Sequence, residues 1–298
     1  MADRVGGWVD PVMRAGYAGR GVVYVLVGIL AVLAAWTGGD AEGTRGALAT
    51  LAGKAWGGAV LVLVTIGLFA YAAWRLVDAA MDLDAKGSGA KGWIGRIGMA
   101  ISALTHVALG LYAFSLVFRS YDGPGSASGS GGGSGSTDGM TATLLAQPFG
   151  RWIVGIVGAV IIATGVTFGV KALRERYKEH LALSRTTERL DPVLKFGLIA
   201  HGVVIAIVGG FFLWAAWTYD PSKAGGIDEA FQTIRASPRG QIALGIVGLG
   251  LVAFAVYCFA EAIWRIIPRR AGPDTRTLAS RGVEAARQVG QSVRRATS

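Results

Sequence analysis

The chain has 298 residues, of which 52% are hydrophobic and only 16% are charged, and its formal net charge is +10. Soluble domains carry about 25% charged residues, so this composition excludes an ordinary soluble protein and indicates segments that lie in lipid. The single cysteine, Cys258, excludes an intrachain disulfide.

Six long stretches contain no Lys, Arg, Asp or Glu. In chain order they are Gly21–Gly39, Ala55–Trp74, Ile97–Phe118, Trp152–Val170, Phe196–Tyr219 and Gly240–Ala260. At about 1.5 Å per helical residue, each is long enough to cross a hydrocarbon core of about 30 Å. The start of the chain shows no signal-peptide cleavage pattern, so we expect the first stretch to stay as an uncleaved anchor. The sequence therefore predicts an all-α polytopic membrane protein with six transmembrane helices.

The excess of basic residues is confined to one set of loops. The loops that follow the odd-numbered stretches contain equal numbers of basic and acidic residues, whereas the remaining segments carry the whole excess. Basic loops remain in the cytoplasm, so we expect both termini and the loops 75–96 and 171–195 on the cytoplasmic side of a bacterial cell membrane. We attribute the positive charge to topology and to attraction for anionic lipid headgroups, and not to nucleic acid.

The odd-numbered stretches align with one another at shifts of 82 and 181 residues, and the even-numbered ones at shifts of 93 and 183. The residues that coincide include Arg14, Arg96 and Lys195; Gly16, Gly98 and Gly197; Gly28, Gly110 and Gly209; Trp36, Phe118 and Trp217; and Gly57, Gly150 and Gly240. Small residues let helices approach closely in lipid. The register predicts three helical-hairpin repeats, parallel to one another about an axis along the membrane normal.

This periodicity divides the chain into five parts. We expect a cytoplasmic N-terminus at 1–13, repeats at 14–85, 86–180 and 181–267, and a basic cytoplasmic tail at 268–298. The tail has apolar residues among its arginines, which is typical of a weak amphipathic helix on anionic lipid; a solvated, disordered tail is the alternative.

A short segment precedes each even-numbered stretch, at 47–57, 141–151 and 230–240, with Thr50, Thr143 and Thr233 in register. Each has apolar residues at helical spacing but is too short to span. We interpret these segments as interfacial helices on the outer face, with plain loops as the alternative. In the second repeat, the Gly- and Ser-rich segment 123–139 predicts a flexible coil.

Three registered copies of the pattern G-x3-[RHS]-[GA]-x6-G, the PFGRW at 148–152 and the ATLAG-like stretches resemble a family of uncharacterised bacterial membrane proteins, domain of unknown function 1206. The resemblance covers roughly Arg14 to Ile267. It implies three tandem copies of a two-helix unit and no activity.

Polar residues inside spans are costly and often functional. The repeat alignment places them in two positions, which together hold Arg20, Ser102, His201, Asp78, Lys171 and Glu261. Within hairpins we expect Arg20 to meet Asp78, His201 to meet Glu261, and Ser102 to face Lys171, which would need an acid from a neighbouring repeat. This polar layer is interpreted as a gate or proton-linked switch, or as ion pairs that fix register, with some side chains reaching the headgroups.

His106 lies about midway along the third stretch. It would relay protons or bind a metal, or it is a neutral histidine hydrogen-bonded to a Ser or Thr of a neighbouring helix; we favour the second reading. A haem needs an axial pair, and His106 and His201 differ in depth by about one helical turn. Without a phosphate loop, a metal motif or paired catalytic carboxylates, we expect no catalytic residue, cofactor or metal site and no enzyme.

Two functions remain open. The first is a structural or accessory component of the membrane, with a membrane-protein partner. The second is a small-solute or ion transporter with a pseudo-threefold axis. A transporter would have a polar, water-accessible centre, and a structural protein a centre packed with small apolar residues.

Overall fold

A computed structural model describes residues 7–39, 41–121, 134–267 and 277–278. The helices of this part are α1 (Val9–Thr37), α2 (Thr44–Ala52), α3 (Gly57–Met81), α4 (Ala90–Tyr121), α5 (Ser134–Leu145), α6 (Gly150–Leu173), α7 (Arg185–Thr218), α8 (Ile227–Ala236) and α9 (Gly240–Trp264). Short 3-10 turns lie at Arg176–His180 and Pro221–Lys223. Of the amphipathic helix predicted for the tail, the structure describes Leu278, which is buried and donates its backbone N–H to the carbonyl oxygen of Leu181; Val283, Ala286 and Val289 lie outside the described residues.

Six of these helices, α1, α3, α4, α6, α7 and α9, are long and apolar enough to cross a membrane. Each contains one of the six charge-free stretches of the sequence or its greater part. The prediction of an all-α polytopic membrane protein is therefore confirmed. The loops 82–89 and 174–184 lie at one end of the bundle, which we call the basic end; α2, α5 and α8 lie at the other, which we call the short-helix end.

The three short segments are helical, as the repeat pattern predicts. Each precedes a glycine that starts the next long helix. A Cβ atom on Gly57 would lie 1.7 Å from the carbonyl oxygen of Leu51, and the same clash occurs at Gly150 with Leu144 and at Gly240 with Arg235, both at 1.9 Å. The registered glycine is thus required because the short helix ends directly against the start of the long one.

The prediction of a coil over 123–139 is wrong for its last residues, since α5 begins at Ser134. Serine and glycine are weak helix formers, but this segment continues into the apolar turns that pack against α6. Tertiary packing commonly stabilises such helices beyond their own propensity. The first part of the Gly- and Ser-rich segment, through residue 133, lies outside the described residues.

The long helices pack in the order α4–α3–α1–α9–α7–α6. The strongest contacts join the even helix of one repeat to the odd helix of the next: α3 to α4, α6 to α7, and α9 back to α1. Glycines make these contacts close. Gly28 of α1 meets Gly248 of α9, and at the equivalent positions Gly209 of α7 meets Gly158 of α6. Equivalent residues of different repeats therefore make equivalent contacts between helices.

The middle repeat differs, because α4 and α6 do not pack along each other as α1 does with α3 and α7 with α9. A Cβ atom on Gly16 would lie 2.5 Å from the backbone of Tyr71, and one on Gly197 would lie 2.3 Å from the backbone nitrogen of Phe254. The equivalent Gly98 has no atom within 4 Å. The series of packed helices is thus open between α4 and α6, and we call this place the lateral opening.

Side-chain size explains the lateral opening. In the first hairpin Gly19 packs on Gly67, with a built Cβ 2.5 Å from the facing Cα, and in the third Ala200 packs on Gly250. The equivalent residues of the middle repeat are Ile101 and Val160, which are about half exposed. Two branched side chains at this level hold the helices apart, since close approach in lipid needs small residues.

The registered basic residues stabilise helix ends. Arg14 donates hydrogen bonds to the last carbonyls of α9, at Ala262 (2.9 Å) and Ile263 (2.6 Å). Arg96 donates equivalent bonds to the last turn of α3, at Ala79 (2.5 Å) and Ala80 (2.9 Å). A cation at a helix C-terminus satisfies free carbonyls and the helix dipole. Lys195 departs from this pattern and pairs with Glu175 at 3.4 Å.

Candidate functional site

Arg20 lies in a cage of aromatic rings between the first and third repeats. Only 7% of it is exposed. Its guanidinium donates to the Tyr71 hydroxyl at 2.9 Å and lies 3.4 Å from Nε2 of His201. Its Cζ atom lies 5.0 to 5.4 Å from the ring centroids of Phe254, Tyr71 and Tyr24. Cation–π attraction to three rings compensates part of the cost of removing this charge from water.

The pairings predicted within hairpins are wrong for Arg20 and His201. Arg20 contacts His201 and Tyr71 rather than Asp78, and Asp78 accepts a hydrogen bond from the backbone nitrogen of Asp84 at 3.0 Å. The reason is the packing order: α1 packs against α9 and α3 together, so its polar face meets the third repeat. The ring of His201 stacks on that of Phe254, with 3.9 Å between the two ring centroids, and His201 does not pair with Glu261.

A second buried group surrounds Arg265, directly after α9. Its guanidinium donates to both oxygens of Asp84, at 2.8 and 3.0 Å, and to Glu261. Glu261 is fully buried and also accepts from the Tyr257 hydroxyl. Lys171 of α6 lies 4.0 Å from Glu261 and donates to Tyr257 at 2.7 Å. Glu261 is therefore the acid that we expected a neighbouring repeat to provide for Lys171. Lys171 pairs with Glu261 and Tyr257 rather than with Ser102.

His106 makes a local contact. Its Nδ1 donates to the carbonyl oxygen of Ser102 at 2.7 Å, one turn earlier in α4. Its ring lies 4.4 Å from that of Tyr71, next to the Arg20 cage. The predicted hydrogen bond to a hydroxyl on a neighbouring helix is wrong, since the backbone of its own helix provides a nearer acceptor.

A cavity of about 270 Å³ opens at the basic end, between α6 on one side and α1, α3 and the loop 82–89 on the other. Its walls contain five cationic side chains, two carboxylates and four other residues. They are Arg75, Lys86, Lys171, Arg176 and Arg265; Asp84 and Glu179; and Tyr17, Thr167, Val170 and His180. We call this cavity the basic pocket.

The charges of the basic pocket shift the pKa values of two of the groups that line it outside the spans, Asp84 and His180. Burial alone would raise the pKa of the Asp84 carboxyl, but the guanidinium of Arg265 and the ammonium of Lys86 hold it well below its usual range. Burial lowers the pKa of His180, and the charge of Arg265 lowers it further. Asp84 is therefore ionised and His180 neutral at pH 7, so the pocket keeps its excess of positive charge.

Comparison with known proteins identifies the family. The model of the Domain of Unknown Function (DUF1206) matches the chain three times, at residues 15–82, 97–175 and 196–265. The chain belongs to the DUF1206 family. It is also similar to the uncharacterised protein YxxB of Bacillus subtilis (strain 168), with 30% identity over 262 residues that cover 87% of this chain and 92% of that one. No solved structure matches.

The three family matches coincide with the three hairpins of this DUF1206 chain, so each hairpin is one copy of the family's domain. The residues that sequence reasoning missed are mostly those without a counterpart in the other repeats. Arg75, Asp84 and Arg265 are examples, since the aligned positions of Arg75 hold Phe168 and Cys258. Arg75 had one signal, since it directly follows the second charge-free stretch.

Proposed function

We propose that this DUF1206 chain is a structural or accessory component of the bacterial cytoplasmic membrane that acts through a membrane-protein partner. The packing of the bundle supports this most directly. Its half nearer the short-helix end is filled by buried aliphatic side chains, among them Val27, Ala31, Leu61, Val64 and Leu244. Within the described part of the chain, this packing supports a centre without a continuous polar path between the two ends. The proposal includes no enzymatic reaction, cofactor or nucleic-acid binding.

The buried polar residues fit this role. Arg20 contacts His201 of the third repeat, Arg265 donates to Asp84 of the first, and Glu261 lies beside Lys171 of the second, so these contacts join all three hairpins. Buried polar groups of this kind can fix register at some cost in stability. The lipid-facing surface is apolar, and the cationic residues of the basic end are attracted to anionic headgroups.

Purification in mild detergent tests the proposed role. A tagged full-length chain, expressed at native level in its host, is expected to retain a partner in a fixed molar ratio through size-exclusion chromatography. An unrelated six-span protein with the same tag serves as the control and should not retain it. A chain that elutes alone, with the same sharp profile at native expression, would contradict the accessory role.

The second candidate, a transporter of a small solute or ion, is favoured by one observation: the basic pocket is polar and opens at one end of the bundle. A carrier would expose this space alternately to both sides of the membrane. Purified chain in liposomes would then move an anion across the bilayer in proportion to the amount of protein, which a structural component would not do.

The proposed orientation predicts opposite labelling of two exposed lysines. Lys54 lies at the short-helix end and Lys91 at the basic end, and the native Cys258 is buried and gives little background. In intact cells, Lys54→Cys is expected to react with a membrane-impermeant maleimide, and Lys91→Cys only after permeabilisation, because basic loops stay inside. The reverse pattern would overturn the assignment of both termini to the cytoplasm.

A further inference from the structure

The basic pocket holds more positive charge than its own carboxylates neutralise. Arg265 and Lys86 pair with Asp84, and Lys171 lies beside Glu261. Arg75 donates only its Nε atom, to the Tyr71 hydroxyl at 2.8 Å. Among the described residues neither Arg75 nor Arg176 has an acidic partner. Five cations thus face the lining carboxylates Asp84 and Glu179 and the adjacent Glu261, so positive charge remains. The guanidinium groups of Arg75 and Arg176 are left to bind an anion from outside the chain.

Guanidinium groups suit one class of anion in particular. Their planar donors match the oxygens of a phosphate, often with two hydrogen bonds each. The pocket also offers the ammonium of Lys171 on the facing wall, which has donors left beyond its bond to Tyr257. A cavity of about 270 Å³ lies just below the range of about 300–1,000 Å³ that is typical of sites for drug-sized ligands, and it has room for a phosphate group.

The position of the pocket indicates where such a phosphate comes from. One wall belongs to α6 and the turn that follows it, and the other to α1, α3 and the loop that leads into α4. The pocket thus lies at the basic end of the lateral opening, where α4 and α6 fail to pack. The opening is bordered by exposed aliphatic side chains, such as Ile97, Ile101 and Val160. An amphiphile with a phosphate headgroup and acyl chains matches this arrangement of a cationic pocket above an apolar cleft.

We propose that the basic pocket is a phosphate-binding site, and that its ligand is the headgroup of an anionic phospholipid whose acyl chains occupy the lateral opening. This goes beyond a general attraction of the basic end to the membrane, because it names one bounded site. It does not depend on whether the chain has a protein partner.

The test compares two arginines that lie two positions apart in the chain, one inside the pocket and one outside it. Arg176 lines the pocket, whereas Arg174, on the same loop and also exposed, does not. Delipidated full-length chain in detergent is titrated with phosphatidylglycerol or, as the zwitterionic control, phosphatidylcholine. Bound lipid is counted by native mass spectrometry, and the unfolding temperature is followed in parallel.

The wild-type chain is expected to bind one phosphatidylglycerol at least tenfold more tightly than phosphatidylcholine, and Arg176→Gln to weaken that binding about fivefold or more, since each cation near a headgroup contributes appreciably. Arg174→Gln should bind like wild type. Arg75→Gln is expected to weaken binding as Arg176→Gln does. Because Arg75 also donates to Tyr71, its replacement can affect folding. Arg176 is exposed, so its replacement tests binding without that effect.

Inorganic phosphate forms the second arm. If it competes with phosphatidylglycerol only at millimolar concentration, both parts of the proposal are supported. If phosphate alone stabilises the chain as well as the lipid does, the phosphate site stands and the lipid source is overturned. Equal losses in Arg174→Gln and Arg176→Gln, or no preference for phosphatidylglycerol, would overturn the site itself.

Discussion

Replacement of Arg265 by Gln is expected to lower the free energy of unfolding by about 3–5 kcal/mol, because it leaves buried carboxylates without their guanidinium partner. Glu261 is fully buried, and the side chain of Asp84 is 5% exposed. Lys171 and Lys86 remain nearby but at 4.0 and 3.4 Å from these carboxylates. The measurement is equilibrium unfolding of the detergent-solubilised chain at pH 7.

The exposed ion pair of Lys223 with Asp220 provides the matched control, since its side chains are 43% and 41% exposed. Lys223→Gln should cost less than about 1 kcal/mol. Adding Glu261→Gln and Asp84→Asn to Arg265→Gln is expected to recover part of the loss. A loss for Arg265→Gln no larger than that of Lys223→Gln would show that the Arg265 group does not stabilise the bundle.

The pH dependence gives a further check on the Arg265 group. Because the folded pKa of Asp84 lies well below its usual range, its contribution in the wild type is complete above the unfolded value of about 3.9 and is lost as the pH falls toward the folded pKa. Without Arg265, burial favours the protonated acids. The difference between wild type and Arg265→Gln should therefore shrink as the pH is lowered.

Substitution of the registered glycines by alanine is expected to give opposite results in different repeats. Gly16→Ala and Gly197→Ala place a Cβ atom 2.5 and 2.3 Å from the backbone of the facing helix, and we expect each to lose about 1–3 kcal/mol because the helices must separate. Gly98→Ala meets nothing within 4 Å and is expected to be neutral or to gain up to about 1 kcal/mol from helix propensity.

The free energy of unfolding of all three variants is measured in a denaturing detergent by circular dichroism. Gly98→Ala is the control for the other two. A loss in Gly98→Ala as large as that in Gly16→Ala would mean that α4 and α6 pack closely in the membrane. The lateral opening, and with it the proposed lipid position, would then be wrong.

The architecture was largely accessible from the sequence, because its determinants are local and periodic. Stretches without charge define the spans, and Gly28 and Gly209 recur because helices must meet there. Even the lateral opening had a signal, since Ile101 and Val160 replace the small residues of the other hairpins. Its meaning becomes clear only once the facing residues are known.

The polar contacts were less accessible. The alignment placed Arg20 and Asp78 at comparable depth, but depth does not give rotation about the helix axis. The partners of Arg20 come from two helices that are remote in sequence. Helix α9 brings Phe254 close to Arg20, and α7 brings His201 close to it. Aromatic cages also lack a sequence pattern, since Tyr24, Tyr71 and Phe254 resemble ordinary core residues until they surround a charge.

The close packing of α1 on α9 has a consequence for biosynthesis. Helix α1 is synthesised well before α9, yet it makes its most extensive contacts with α9, and Arg14 of α1 binds the last carbonyls of α9. Until α9 is inserted, Arg20 has only part of its aromatic cage and faces lipid or the translocation machinery. A chain that has not yet gained α9 therefore carries in α1 a cation that is only partly shielded, and such a charge within a span is costly in lipid.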